Sequence, residues 1–333
     1  MTGRFTLDNR LPADHYQAGL RADVTQGLAE PPRVLSPKWF YDERGSKLFE
    51  QITALPEYYL TRAEHEILTV RAPEIAAAVG ARTLVELGSG SSRKTRLLLD
   101  ALTELGTLER YVPVDVSGTA LSEAGEALCR EYPDLEVAAT VADFEQDLVL
   151  AADDPSPRML AFLGSTLGNF DPGQRQTLYA ALRRALRPSD SLLLGADLVK
   201  DTSVLLPAYN DDQGITEAFN KNVLSVLNRE LDADFDLDEF DHRAIWNEQD
   251  ERIEMLLRSR NRQNIKIRGV DLVIDLAADE EMRTEISCKF RREGLTAELA
   301  AAGFEVRRWW TDRADRFALL LAQPAVKPTR NPK

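Results

Sequence analysis

Three carboxylates close or directly follow three short apolar runs: Glu86 in TLVEL, Asp115 in RYVPVDV and Asp143 after LEVAATVA. The first belongs to VELGSGSSRKTR, so an acid precedes two glycines in the order Glu86-x-Gly88-x-Gly90. A dinucleotide fingerprint needs a third glycine, which lets the helix pack on its strand while the helix N-terminus faces a diphosphate. Arg93 stands at that position here. An acid ahead of the loop suits a ligand with a cationic amino-acid end instead. Glu86 would attract its ammonium, directly or through water, while Lys94 and the helix N-terminus would favour its carboxylate. Asp115 could accept from both hydroxyls of a ribose, and Asp143 with the ring of Phe144 could bond and cover adenine. S-adenosylmethionine carries all of these groups. Each signal also has a plain alternative: glycine turns serve packing, and an acid at a strand end often caps the next helix.

Positioning three acids together requires alternating strands and helices. TRAEHEILTVRAPEIAAAV predicts a helix, with Thr61 and Glu64 spaced for a capping box. Strands follow over 82–87, 110–116, 135–142, 158–164 and 191–199, with helices over 91–105, up to Glu131, and over about 172–186. Short, near-continuously apolar strands between helices predict a parallel sheet covered on both faces. Beyond 201 the rhythm changes to a helix over about 214–231, the acidic loop DADFDLDEFD, and period-two segments such as RIEMLLRS and VDLVIDLA. These suggest antiparallel strands with one wet face. The end of the chain, LTAELAAAGF, EVRRWW and FALLLAQ, reads as helix, strand, strand. The expected fold is α/β and Rossmann-like: a class I methyltransferase sheet with an antiparallel last strand, plus a second, discontinuous α+β domain. The expected boundaries are 63–198 and 288–324 for the cofactor domain, 10–62 and 199–287 for the substrate domain, and a disordered tail over 325–333.

A net charge of -14 over 333 residues argues against nucleic-acid or anionic-membrane partners. No apolar run has the roughly 20 residues of a membrane span, and the first residues lack a secretory apolar segment. Cys129 and Cys288 resemble cytosolic thiols rather than a disulfide framework. The histidines His15, His65 and His242 are scattered, so no metal site is expected. The expectation is a cytoplasmic protein without metal.

Longer stretches carry a more specific signal: PKWFYDERGSKLFEQITALPEYYLTRAE, VELGSGSSRKTR, FLGSTLGNF, LLLGADLVKD and TEISCKFR. Together these closely resemble the L-histidine N-alpha-methyltransferases of ergothioneine biosynthesis, over nearly the whole chain. The resemblance implies a monomer that trimethylates the alpha-amino group of L-histidine to hercynine, S-adenosylmethionine becoming S-adenosylhomocysteine. It implies cofactor contacts from Gly88, Lys94, Asp115, Asp143 and Phe144, beside Glu86 and Gly90 of the loop. Asn169 and Tyr209 would grip the substrate carboxylate, and Tyr41 and Tyr58 would lie near amine and ring, positioning without acid-base catalysis. Glu285 and Ser287 would bond the imidazole, with Thr216 and Met255 shaping that pocket. Leu60 and Ser91-Ser92-Arg93 depart from the family pattern, which has a proline and Thr-Ser-Glu there in many members. From the residues alone, Tyr41 and Tyr58 also read as packing groups, Asn169 as a turn residue, and Tyr209 as a loop anchor.

Overall fold

Strands form where apolar runs are short, and helices where they repeat with the helical period. The computed structural model describes residues 5–145, 148 and 150–325; the tail expected from 325 lies, beyond Ala325, outside the described residues. In chain order, β1 (Phe5–Asn9), α1 (His15–Leu28), β2 (Arg33–Val34) and α2 (Glu43–Ala54) come first. Then follow α3 (Leu60–Val79), β3 (Thr83–Leu87), α4 (Arg96–Glu104), β4 (Arg110–Asp115), α5 (Gly118–Glu131) and β5 (Glu136–Val141). The next are β6 (Arg158–Phe162), α6 (Pro172–Ala185), β7 (Ser191–Asp197), α7 (Thr202–Leu205) and α8 (Ile215–Leu231). After them come β8 (Phe240–Asn247), β9 (Arg252–Ser259), β10 (Gln263–Ile267), β11 (Leu272–Leu276) and β12 (Glu281–Cys288). Last are α9 (Arg292–Ala301), β13 (Phe304–Thr311) and β14 (Phe317–Pro324).

The chain divides into two compact units, one of residues 1–11, 62–198 and 290–333, the other of 12–61 and 199–289. The first is built on a sheet of order β1-β5-β4-β3-β6-β7-β14-β13. The strands from β1 to β7 pair in parallel, while β14 runs antiparallel to both β7 and β13. Every residue of β3, β6 and β7 is buried, as strands in the middle of a covered parallel sheet must be. The edge strand β1 has no counterpart in the sequence reading, because four of its five residues are exposed and its Phe5-Thr6-Leu7-Asp8 alternation is too short to stand out.

The second unit holds a four-stranded sheet of order β2-β12-β9-β8 and the separate hairpin β10-β11. Its helix α8 buries Phe219, Val223, Leu224, Val226, Leu227 and Leu231. In β12, Arg283 faces Leu256 and Glu285 faces Met255, so Thr284 is an extra residue in the ladder. Its hydroxyl is fixed by Asn220 Oδ1 at 2.6 Å and by the Met255 carbonyl at 3.1 Å.

Two local expectations are corrected. The helix after the glycine loop begins at Arg96, not Ser91, because Ser92 takes a φ of +52° and Thr95 turns toward Glu86. Lys94 therefore sits in the turn ahead of the helix. Nor do Thr61 and Glu64 form a capping box: α3 starts at Leu60, placing Thr61 inside it. The Glu64 carboxylate bonds Lys94 and the Gly164 amide instead.

Candidate active site

In the sheet unit, Gly88 and Gly90 take φ values of +65° and +49°, which L side chains rarely adopt. This lets the loop reverse over the end of β4, with the Gly88 amide bonded to Val114 O at 2.8 Å and the Gly90 amide to Asp115 Oδ2 at 3.0 Å. The other Asp115 oxygen accepts from Ser117 N. A carboxylate has about four acceptor sites, so two bonds leave Asp115 able to take hydroxyl donors. Asp143 lies just past β5, where it accepts from the Glu145 amide, and Phe144 meets Phe162 edge-on at 5.4 Å.

Glu86 is placed differently from the sequence expectation. It is buried, with Oε1 accepting from Thr95 Oγ1 at 2.6 Å and Oε2 from the Tyr111 hydroxyl at 2.5 Å. Loss of water raises its pKa to about 7, against the lowering effect of those two bonds and of Lys94. Both oxygens are buried and bonded to side chains around the loop, so Glu86 braces it. Lys94 Nζ is 2.6 Å from the buried Glu64, whose other oxygen receives the Gly164 amide at 2.7 Å. Asn169 ends a short 3-10 turn after β6, half-buried, and its side-chain amide has no hydrogen bond among the described residues.

In the second unit the three expected tyrosines share one aromatic row. Tyr41 meets Phe49 and Phe219 edge-on at 5.5 and 5.4 Å, Phe49 meets Tyr58 at 6.1 Å, and Tyr58 meets Tyr209 at 6.5 Å. Tyr41 is exposed, whereas Tyr58 and Tyr209 are buried. The Tyr209 hydroxyl and Ser287 Oγ lie 2.8 Å apart. Glu285 stands opposite the buried Met255 in the ladder. No hydrogen bond holds the Glu285 carboxylate among the described residues, and dehydration lifts its pKa to about 7 while the charge of Lys289 pulls it down. Thr216 is buried at the start of α8, and its hydroxyl has no partner among the described residues.

A family model described as "Histidine-specific methyltransferase, SAM-dependent" matches residues 20–324. The chain belongs to this family. It is 54% identical to a histidine N-alpha-methyltransferase of Mycolicibacterium smegmatis, covering 95% of this chain and 98% of that one. Identity is 53% to the enzyme of that name from Mycobacterium tuberculosis, over 96% and 99% of the two chains. It is 34% to ergothioneine biosynthesis protein 1 of Neurospora crassa, over 64% of this chain and 25% of that one. The first unit is accordingly a class I methyltransferase sheet with its antiparallel last strand. Its residues fit the S-adenosyl group: a Cβ added at Gly90 would meet nothing within 4 Å, and Asp115 beside it keeps acceptor capacity.

Residues that sequence reasoning missed in this methyltransferase act behind the contacts. In the sequence Glu64 carries only a helix-cap spacing and Lys289 no pattern at all, since a lone charge gives no local sign of the partner it meets in the fold. His242, one of the three scattered histidines, accepts from Asn220 Nδ2 at Nδ1 at 2.8 Å, which makes Nε2–H the donor to the Tyr209 carbonyl at 2.9 Å. Burial depresses the pKa of His242, consistent with that neutral form. The Glu64 arrangement also explains a glycine inside a buried strand: a Cβ at Gly195 would lie 2.5 Å from Glu64 Oε1. Gly195→Ala is expected to destabilise the protein by roughly 1–3 kcal/mol through overpacking. By displacing Glu64 it should also loosen S-adenosylhomocysteine binding, measured by thermal melting and calorimetry.

Proposed function

We propose that this methyltransferase trimethylates the alpha-amino nitrogen of L-histidine, giving hercynine, as the first step of a route to ergothioneine. The sheet unit is assigned to the cofactor through Gly88, Gly90, Lys94, Asp115, Asp143 and Phe144, with Glu86 bracing the loop. The second unit is assigned to histidine. The observation that carries this reading is Glu285: a water-poor carboxylate without a hydrogen-bond partner among the described residues, on the strand that also bears Ser287. An imidazole N–H supplies the missing donor. An indole or phenyl group would leave one or both of these polar side chains unpaired, which disfavours the rival reading of a tryptophan-type N-methyltransferase.

S-adenosylmethionine supplies a methyl carbon on a positive sulfonium, attacked in line by an amine lone pair. The chain's task is alignment, which can contribute roughly 7–11 kcal/mol to such a step. Asn169 and Tyr209 are assigned to the carboxylate and Glu285 and Ser287 to the ring, so the amino acid is held at both ends and its amine is fixed. Tyr41 and Tyr58 present ring faces to the nitrogen, where a growing ammonium gains on the order of 2 kcal/mol in a dry site. Met255 and Thr216 bound the pocket. No side chain need act as acid or base once the amine is unprotonated.

Incubating the protein with S-adenosylmethionine and each of the twenty amino acids tests the proposal by mass. Histidine should gain three methyl groups; a methylated product from another amino acid alone, or binding without product, would overturn it. The reading extends to a monomeric, cytoplasmic enzyme, which light scattering and cell fractionation check.

A further inference from the structure

Asn220 lies on the apolar face of α8 and is completely buried. A polar amide in that place is costly unless it is bonded, so its partners must account for it. Its Nδ2 donates to the Leu256 carbonyl at 3.1 Å and to Nδ1 of His242 at 2.8 Å. Its Oδ1 accepts from the Thr284 hydroxyl at 2.6 Å, the nearer of the two acceptors open to that proton. The Leu256 carbonyl can only accept, which settles which end of the amide is nitrogen. One helix side chain thus pins β8, β9 and β12, three neighbouring strands of the sheet.

Two of these bonds lead toward opposite ends of the histidine grip. Thr284 is the extra residue in the β12 ladder and directly precedes Glu285. On the other side, His242 passes the contact on, Nε2 donating to the Tyr209 carbonyl at 2.9 Å. The Tyr209 amide donates to the Leu206 carbonyl at 3.0 Å, so the backbone bearing that ring is held on both sides. We propose that Asn220 is a positioning residue that aligns both ends of the grip, through Thr284 on Glu285 and through His242 on Tyr209. The proposal rests on the reading of Glu285 and Tyr209 as substrate contacts. It also explains the residue type. A carboxylate could not donate to the neutral Nδ1 of His242, an ammonium could not accept from Thr284, and a leucine would fill the space while holding no strand.

Kinetics on variants of the full chain test this. His242→Phe cuts one arm, Thr284→Val the other, and Asn220→Leu both. Each arm variant is expected to raise KM for histidine about fivefold, the scale of one lost hydrogen bond, with KM for S-adenosylmethionine moving less than twofold. Asn220→Leu should raise it by about the product of the two, roughly twenty-fivefold. Paired with the contact it serves, each arm should lose its effect. His242→Phe should add less than twofold in a Tyr209→Phe background, and Thr284→Val likewise in Glu285→Ala. Full effects in those backgrounds, or equal rises in both KM values, would overturn the proposal and leave the two contacts standing. An unchanged histidine KM in Tyr209→Phe or in Glu285→Ala would instead overturn that contact, and the proposal with it. Should Asn220→Leu not fold, the two arm variants and their pairs carry the test by themselves.

Discussion

Glu285→Ala is expected to lower kcat/KM for histidine by about ten- to a hundredfold while leaving S-adenosylhomocysteine affinity within twofold. The magnitude follows from a charged hydrogen bond to the ring, roughly 1.5–3 kcal/mol. Steady-state rates with calorimetry check it; equal losses in both would place the acid in the fold and not in the pocket. The same group carries a pH signature in the free protein. Its pKa rises from 4.5 to about 7 on folding, because the carboxylate loses water. The acid form is therefore favoured by the fold: its contribution is fully present below pH 4.5 and is lost as pH rises through 7. Glu285→Gln removes that dependence. The variant should match the native chain in thermal stability near pH 5 and exceed it near pH 8. Activity and stability would then move in opposite directions, as expected of a group kept for function.

The second large effect is structural. Arg158 and Asp190, at the starts of β6 and β7, are both buried, with Nη2 and Nε at 2.7 and 2.9 Å from Oδ2. Asp190 also accepts from the Arg158 and Arg187 amides, and Arg158 reaches the Ala185 carbonyl at 2.8 Å. Asp190→Ala would strand a buried guanidinium, a loss of about 3–5 kcal/mol. The melting temperature should fall by on the order of 10 °C in a unit of this size. KM for either substrate should stay within twofold, since the pair sits at the opposite ends of the strands from the glycine loop and Gly164. A change confined to KM would contradict this placement.

Much of the fold was legible because burial writes itself into composition. The runs around 83–87, 158–162 and 191–197 are apolar apart from Thr83, Glu86, Arg158, Ser191 and Asp197, and the acids Glu86, Asp115 and Asp143, at or just past the ends of three runs, marked one end of the sheet. β1 was illegible for the converse reason: an edge strand of five residues, four of them exposed, carries too short an apolar signature. The turn ahead of Arg96 was misread because its departure from helix comes from a long-range bond, Thr95 to Glu86. Among site residues, the contacts came from motif resemblance, whereas the groups behind them did not. Glu64 and His242 act on partners 30 and 33 residues away, and Lys289 joins the nearby Ser287 to Tyr209, 80 residues away. No local spacing rule reaches that far.

The extra residue at Thr284 bears on how selectivity could change over time. Alternation sends neighbouring strand residues to opposite faces, and a bulge resets which of them look inward. Deleting Thr284 itself would only close the bulge and leave Glu285 opposite Met255 and Ser287 opposite Ile253. Losing the residue after it, with the bulge kept, would bring Ile286 and Cys288 into those two places, replacing a polar pair with an apolar one. Chain length at this point thus works as a selector, and relatives of altered preference are best compared by counting along the strand before comparing letters.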